Sequence, residues 1–144
     1  MSEPKSPYCN CLYHAANAMA RSISRLAEEE FAKADLVPTQ AFILMSVINN
    51  PGITAGDIAR QVELSPSNIT RMLDKLEARD LVSRSTEGKL SRVYPTPASL
   101  QVEPLIKAAW GRMYARYSQM LGKENGAALA QDLTKASSML DQQI

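Results

Sequence analysis

The sequence predicts a mainly α-helical protein of six helices with one two-stranded β-hairpin. Three observations carry this. Apolar residues recur at alternating steps of four and three near both ends of the chain, as in Leu12, Ala16, Met19, Ile23 and Leu26, the seam of a helix packed on other helices. Between those ends lie two shorter helical patterns joined by "ELS", the second opened by Ser65 and Pro66. Directly after them, "LVSRS" and "SRVYP" alternate apolar and polar residues around "TEGK", the period of two strands about a tight turn.

The first helix is expected from about Tyr8 to Ala34. "LVPTQ" interrupts it, because Pro38 lacks the amide hydrogen a helix interior needs and suits the first position of a new helix. That second helix runs to about Ile48 through the apolar "AFILMSVI", and "NNPG" stops it. Thr54, with Asp57 three positions on, opens a third helix, "TAGDIARQV", as a shortened capping box. Ser65 supplies a capping hydroxyl and Pro66 a ring already set at the helical φ, so a fourth helix follows to about Ala78. Gly88 can take the positive φ of the hairpin turn. The helical seam returns from Leu100 to Leu121 at Val102, Ile106, Ala109, Met113, Tyr117 and Met120, and Gly122 is a stop. A last helix, from about Glu124, repeats it with Leu129, Leu133, Ala136 and Leu140.

The totals fit one domain. The chain has 144 residues, 45% hydrophobic and 22% charged, enough to bury a core. Sixteen basic residues face 15 acidic ones, for a net charge of +1, so attraction to nucleic acid has to come from the placement of the cations rather than their number. The opening "MSEPKSPYCNCLYH" lacks the pattern of a signal peptide, and no segment approaches the ~20 apolar residues of a membrane span. The expectation is a cytoplasmic protein with no membrane partner, whose two cysteines are thiols by default.

The two short central helices match a helix-turn-helix, whose second helix enters the DNA major groove. Ile58, Ala59, Val62, Leu64, Ile69, Met72, Leu73 and Leu76 can close one small core if the helices cross steeply. At about 100° per residue, burying the last four turns Ser67, Arg71 and Lys75 outward, with Asn68 and Asp74 on either side. Ser65, Ser67, Asn68 and Thr70 offer hydrogen-bonding groups toward the helix start. Arg71 can grip guanine O6 and N7 with two parallel bonds, and Lys75 supplies a mobile charge. Asp74 opposes this, and Arg71 is at the spacing to hold it. Read alone, this is also what the solvated face of any amphipathic helix looks like. The hairpin favours DNA: Arg84, Lys89 and Arg92 put three cations on one ribbon just after the helix, where a wing reaches minor groove or backbone.

These residues resemble the MarR family of bacterial transcriptional regulators, which are winged-helix homodimers, and the resemblance covers nearly the whole chain. "LVPTQAFIL" resembles the opening of that family's second helix, "DIARQVELSPSNITRMLDKLEARDLVSR" its helix-turn-helix, and "EGKLSRVYPTPAS" its wing. The departures are specific. Glu87 and Lys89 stand where the family commonly has Asp-x-Arg at the wing tip, exchanging a planar fork for a point charge. Val37 replaces a capping Thr, Pro95 a Leu, Ser99 a frequent Gly and Asp80 the usual Gly after the fourth helix; Asp tolerates left-handed geometry.

The resemblance implies one MarR-like domain over residues 1–144, with a winged helix-turn-helix lobe at 36–97 and dimerisation helices at 8–34 and 100–143. The first, fifth and sixth helices carry more apolar surface than a lobe of that size needs, so they interlock with a second copy or form an internal three-helix bundle. The homodimer would present two recognition helices to a pseudo-palindromic operator in double-stranded DNA. The resemblance also implies a small effector or an oxidant that alters their spacing. Tyr13, His14, Phe42, Met45, Trp110, Met113, Tyr114 and Tyr117 can line a pocket for a small aromatic effector, or simply fill a core. Cys9 and Cys11 fall on opposite sides of the expected helix, too near in sequence for a comfortable mutual disulfide. They are inert thiols, a redox switch, or part of a metal site with His14, which falls short of a closed zinc set unless two chains contribute.

No cofactor or metal site is expected. A single histidine, no Gly-rich phosphate loop and no nucleophile elbow leave nothing from which to build an enzyme. The function expected is a sequence-specific transcriptional regulator, a repressor relieved by a small molecule or oxidant. The alternative is a winged-helix protein-interaction module that does not bind DNA.

Overall fold

The structure, a computed structural model, describes residues 6–144. Helix α1 spans Leu12–Phe31 and runs into a 3-10 turn, Ala32–Ala34. Then follow α2 (Pro38–Asn49), β1 (Ile53–Thr54), α3 (Ala55–Val62), α4 (Pro66–Ala78), β2 (Val82–Glu87), β3 (Leu90–Pro95), α5 (Pro97–Leu121) and α6 (Lys123–Gln143). The described chain divides into two compact units, one ending at Ala109 and one beginning at Trp110.

The six expected helices are present, with shifts at their ends that have local causes. α1 begins four residues later than expected. Cys11 is extended at its N-cap, its thiol caps nothing, and the Cys11 amide bonds the Tyr8 carbonyl in a separate turn. Both cysteines therefore precede the helix, and the expectation that they sit on opposite helical faces is corrected. α2 lacks a capping hydroxyl at Val37, yet keeps the other half of a capping box: the Val37 amide donates to Oε1 of Gln40 at 3.1 Å. α5 begins three residues early because Thr96 and Ser99 cap it reciprocally. The Thr96 amide donates to Oγ of Ser99 at 2.8 Å, and the Ser99 amide to Oγ1 of Thr96 at 3.1 Å.

The hairpin is part of a larger sheet. Its strands pair antiparallel from Val82↔Pro95 to Glu87↔Leu90, leaving Gly88 and Lys89 as a two-residue turn with Gly88 at φ 62°. β1 adds a third strand on the far side of β3, pairing Ile53 with Val93 and Thr54 with Arg92, in the order β1-β3-β2. Two residues are too few to show alternation, so β1 left no period to read.

The core of the first unit sits under the helix-turn-helix. Ile43, Leu44, Val47, Ile58, Ile69, Leu73, Leu76, Val82 and Val93 are essentially inaccessible. Of the eight residues expected to close the small core, Ile58, Ala59, Ile69, Leu73 and Leu76 are buried; Val62, Leu64 and Met72 are half-buried at its edge. Ile106 and Ala109, toward the middle of α5, are also buried. In the second unit, α6 buries only Gly126, where a β-carbon would lie 3.3 Å from the Tyr117 ring of α5.

Candidate nucleic-acid interface

Helix α4 is started by its own sequence. The hydroxyl of Ser65 accepts from the Asn68 amide at 3.3 Å, with Pro66 at the first helical position, and Ile69, Leu73 and Leu76 bury one side. The opposite side is left to polar groups: Ser67, Thr70, Arg71, Asp74 and Lys75 are exposed and Asn68 is half-buried. The Ser65 and Ser67 hydroxyls lie 3.3 Å apart. Thr70 turns its hydroxyl back to the Pro66 carbonyl at 3.0 Å, which ties it to its own helix.

Arg71 does not hold Asp74, as its spacing had suggested. Its guanidinium Nη2 donates to Oδ1 of Asn68, one turn toward the helix start. That partner is neutral, so Arg71 keeps its charge for the outside. Asp74 is held instead from the hairpin: Nη2 of Arg84 donates to Oδ1 of Asp74 at 2.6 Å and to Oε1 of Glu77 at 2.7 Å. The Arg84 side chain is only 24% exposed. The hydrogen bond from Arg84 holds the Glu77 carboxyl below its usual range, and that bond, followed by the one to Asp74, pushes Arg84 up against the opposing effect of its partial burial.

The three hairpin cations therefore differ in role. Arg84 is committed to α4. Arg92 donates through Nε to Oε2 of Glu87 and through Nη1 to the Gly52 carbonyl, both at 2.9 Å, pinning the strand to the loop before β1. Lys89, at the tip, is exposed, and among the described residues neither it nor Lys75 forms an ion pair. Elsewhere on this unit Arg60 is paired with Asp57, whose carboxyl is lowered first by that bond and then by the bond with Thr54.

Sequence reasoning missed the joint at which the hairpin is attached. Asp80 follows α4 at φ 59°, and its carbonyl accepts from the buried Thr96 hydroxyl at 2.6 Å. Ser99 donates its own hydroxyl to the Thr96 carbonyl at 2.8 Å. Thr96 and Ser99 thus join the end of α4 to the start of α5. The signal was a Thr-x-x-Ser pair flanking Pro97, the same logic that marked Ser65.

The candidate effector residues are divided four and four between the two units. In the first, Tyr13 is 80% exposed, the His14 ring is 5.7 Å from that of Tyr8, Phe42 lies 6.1 Å from Phe31, and Met45 is half-buried. In the second, Met113 is buried, Trp110 is partly exposed, and Tyr114 meets Tyr117 edge-on at 5.4 Å. A cleft of about 420 Å³ lies at other residues of the first unit, among them Asn50, Gly52, Asp57 and Arg60. Cys9 and Cys11 are exposed free thiols. Among the described residues, no three His, Cys, Asp or Glu side chains gather as a metal-ligand set, and no single helix is long and apolar enough to cross a membrane.

The helix-turn-helix and first hairpin strand, residues 36–87, match the model of the MarR family. Over 101 residues the chain is 33% identical to the HTH-type transcriptional repressor MdtR of Bacillus subtilis (strain 168), a match over 67% of this chain. The chain belongs to the MarR family. It spans 64% of that repressor's length. Its fold is that of solved MarR-type structures. The transcriptional repressor CouR bound to a 23-mer DNA duplex superposes with a TM-score of 0.83 at 24% identity, covering 94% of this chain and 99% of CouR. CouR bound to p-coumaroyl-CoA superposes equally, at 23% identity and 94% and 98% coverage. The MarR wing of this chain carries its charge at the tip on a lysine and spends its two arginines on internal bonds.

Proposed function

We propose that this MarR-family chain is a sequence-specific double-stranded DNA-binding transcriptional regulator, a repressor that acts as a homodimer in the cytoplasm and has no enzymatic activity. One observation carries the reading: α4 is capped, buried along one side, and presents Ser67, Asn68, Arg71 and Lys75 on the other. Ser65 and Thr70 flank them and contribute mainly to helix geometry. Lys89 meets backbone or minor groove, and Arg92 fixes the strand that carries it. The likeness to MdtR, named a repressor, and to CouR, solved on a DNA duplex, supports the same reading.

The lobe at 36–97 contacts DNA, and the helices at 8–34 and 100–143 hold the dimer. Support for the dimer comes from apolar residues that the chain leaves uncovered, including Leu12, Leu100, Leu105, Met120, Leu133 and Leu140. Two α4 helices related by a twofold axis and about 34 Å apart fit successive major grooves. Relief by a small molecule is supported by CouR, solved with p-coumaroyl-CoA; exposed Cys9 and Cys11 leave an oxidant as the other input.

Of the cations on the outer face of α4 and on the hairpin, Arg71, Lys75 and Lys89 are those without an acidic partner among the described residues, three per subunit. Log affinity should then fall with log salt at a slope of about −5. Retardation of the gene's own upstream duplex, titrated with salt, tests this, and Arg71→Ala tests specificity. The variant should lose about 1–3 kcal/mol and blur sequence preference. Undiminished discrimination by Arg71→Ala would remove its assigned role; a chain that retards no duplex leaves the protein-interaction module instead.

A further inference from the structure

Asp74 and Glu77 place two carboxylates along the side of α4 that runs beside its DNA-facing residues, both substantially exposed. Phosphate repels them. Left alone, they would offset the charges of Arg71 and Lys75 one for one, and the helix would approach the duplex without net attraction. Arg84 changes that. It comes from β2, seven residues after Glu77, and one guanidinium nitrogen lies within 2.7 Å of both carboxylates. That single nitrogen, Nη2, bridges two acids three residues apart on the helix.

We propose that Arg84 is a charge-masking residue, which offsets one of the two negative charges of Asp74 and Glu77 and holds both carboxylates to the hairpin, so that the α4 face keeps a net positive charge toward DNA, without itself contacting phosphate. This rests on the DNA-binding reading of α4. It also explains an arrangement that the wing reading alone does not: the hairpin's first arginine points back at the recognition helix and not toward a ligand.

The test compares the double variant Asp74→Asn/Glu77→Gln with the triple variant that adds Arg84→Ala, measuring DNA affinity against salt with the wild type beside them. Once the carboxylates are neutral amides, Arg84 has no acids to hold, and its own charge, off the phosphates, acts on DNA only through screening solvent. The two variants should bind within about threefold of each other with equal salt slopes, and the double should bind at least as tightly as wild type. Arg84→Ala alone should lose on the order of tenfold or more, regained in the triple. If Arg84 instead grips phosphate, the triple falls well below the double and its slope is shallower by about 2 for a dimer; that result overturns the masking role. Because the decisive comparison is double against triple, a failure of Arg84→Ala to fold does not affect it. Thermal unfolding of both confirms that the folded state is being compared. A wild type that retards no duplex sinks the DNA-binding reading itself; a wild type that binds while the triple lags sinks only the mask.

Discussion

Helix α4 and helix α6 are written in the same code and end in opposite conditions. Each has apolar residues three and four apart. In α4, Ile69, Leu73 and Leu76 are essentially inaccessible, closed over by α3 and the sheet. In α6 the equivalent stripe is open: Leu129 is 37% exposed, Leu133 42% and Leu140 55%. The difference shows which surface the chain completes by itself and which it leaves to something else. A face of spaced leucines in water is costly to leave open, and a second copy of the chain covers it in the reading proposed above.

The largest effect should come from the closed side. Leu73→Ala removes a buried side chain from the packed centre of the helix-turn-helix and should cost about 2–5 kcal/mol of stability, seen as a lowered midpoint in urea. The same truncation at Leu133 should cost far less in the isolated subunit, because there is little packing to lose. Equal costs at the two sites would erase the contrast, by showing that α6 is as well packed as α4.

A second break falls on the open side. Leu133→Asp with Leu140→Asp puts charge on the exposed stripe and should leave the subunit folded but monomeric by sedimentation. With only one recognition helix per particle, affinity for a two-half-site duplex should fall by about a hundredfold or more. A pair of substitutions that leaves the particle dimeric would move the interface elsewhere.

The contrast also explains what could be read from the sequence. Periodicity reports that a helix has an apolar face and says nothing of what covers it, so the seams of α1, α5 and α6 were visible while an internal bundle and a dimer both remained open. Local chemistry was more legible. Ser65 with Pro66, Thr54 with Asp57, and Gly88 each act within a few residues, and each sits where expected. The bonds that escaped reading span the chain: Arg84 reaches Asp74 across ten residues, Thr96 reaches Asp80 across 16, and Arg92 reaches Gly52 across 40. Arg71 could be placed on the outer face from helical geometry alone. Its partner could not, because Asn68 and Asp74 are both three positions away and only the arrival of Arg84 decides that Asp74 is taken.

The smallest effect concerns that tie rather than packing. The Glu77 carboxyl is held below its usual range in the folded chain, first by the hydrogen bond from Arg84. A depressed folded-state pKa stabilises the fold when the group is ionised in both states, so the contribution is fully present above the ordinary glutamate value of about 4.3. It is lost as pH falls through the lower, folded-state value. The stability gap between wild type and Glu77→Gln should therefore be constant near neutrality and shrink below about pH 4. Glu77 is solvent-exposed, and exposed pairs contribute little, so the gap should be small beside that of Leu73→Ala. Urea midpoints of the two proteins between about pH 3 and 7 read it directly; a gap that widens on acidification would mean that Arg84 is not what holds Glu77 ionised.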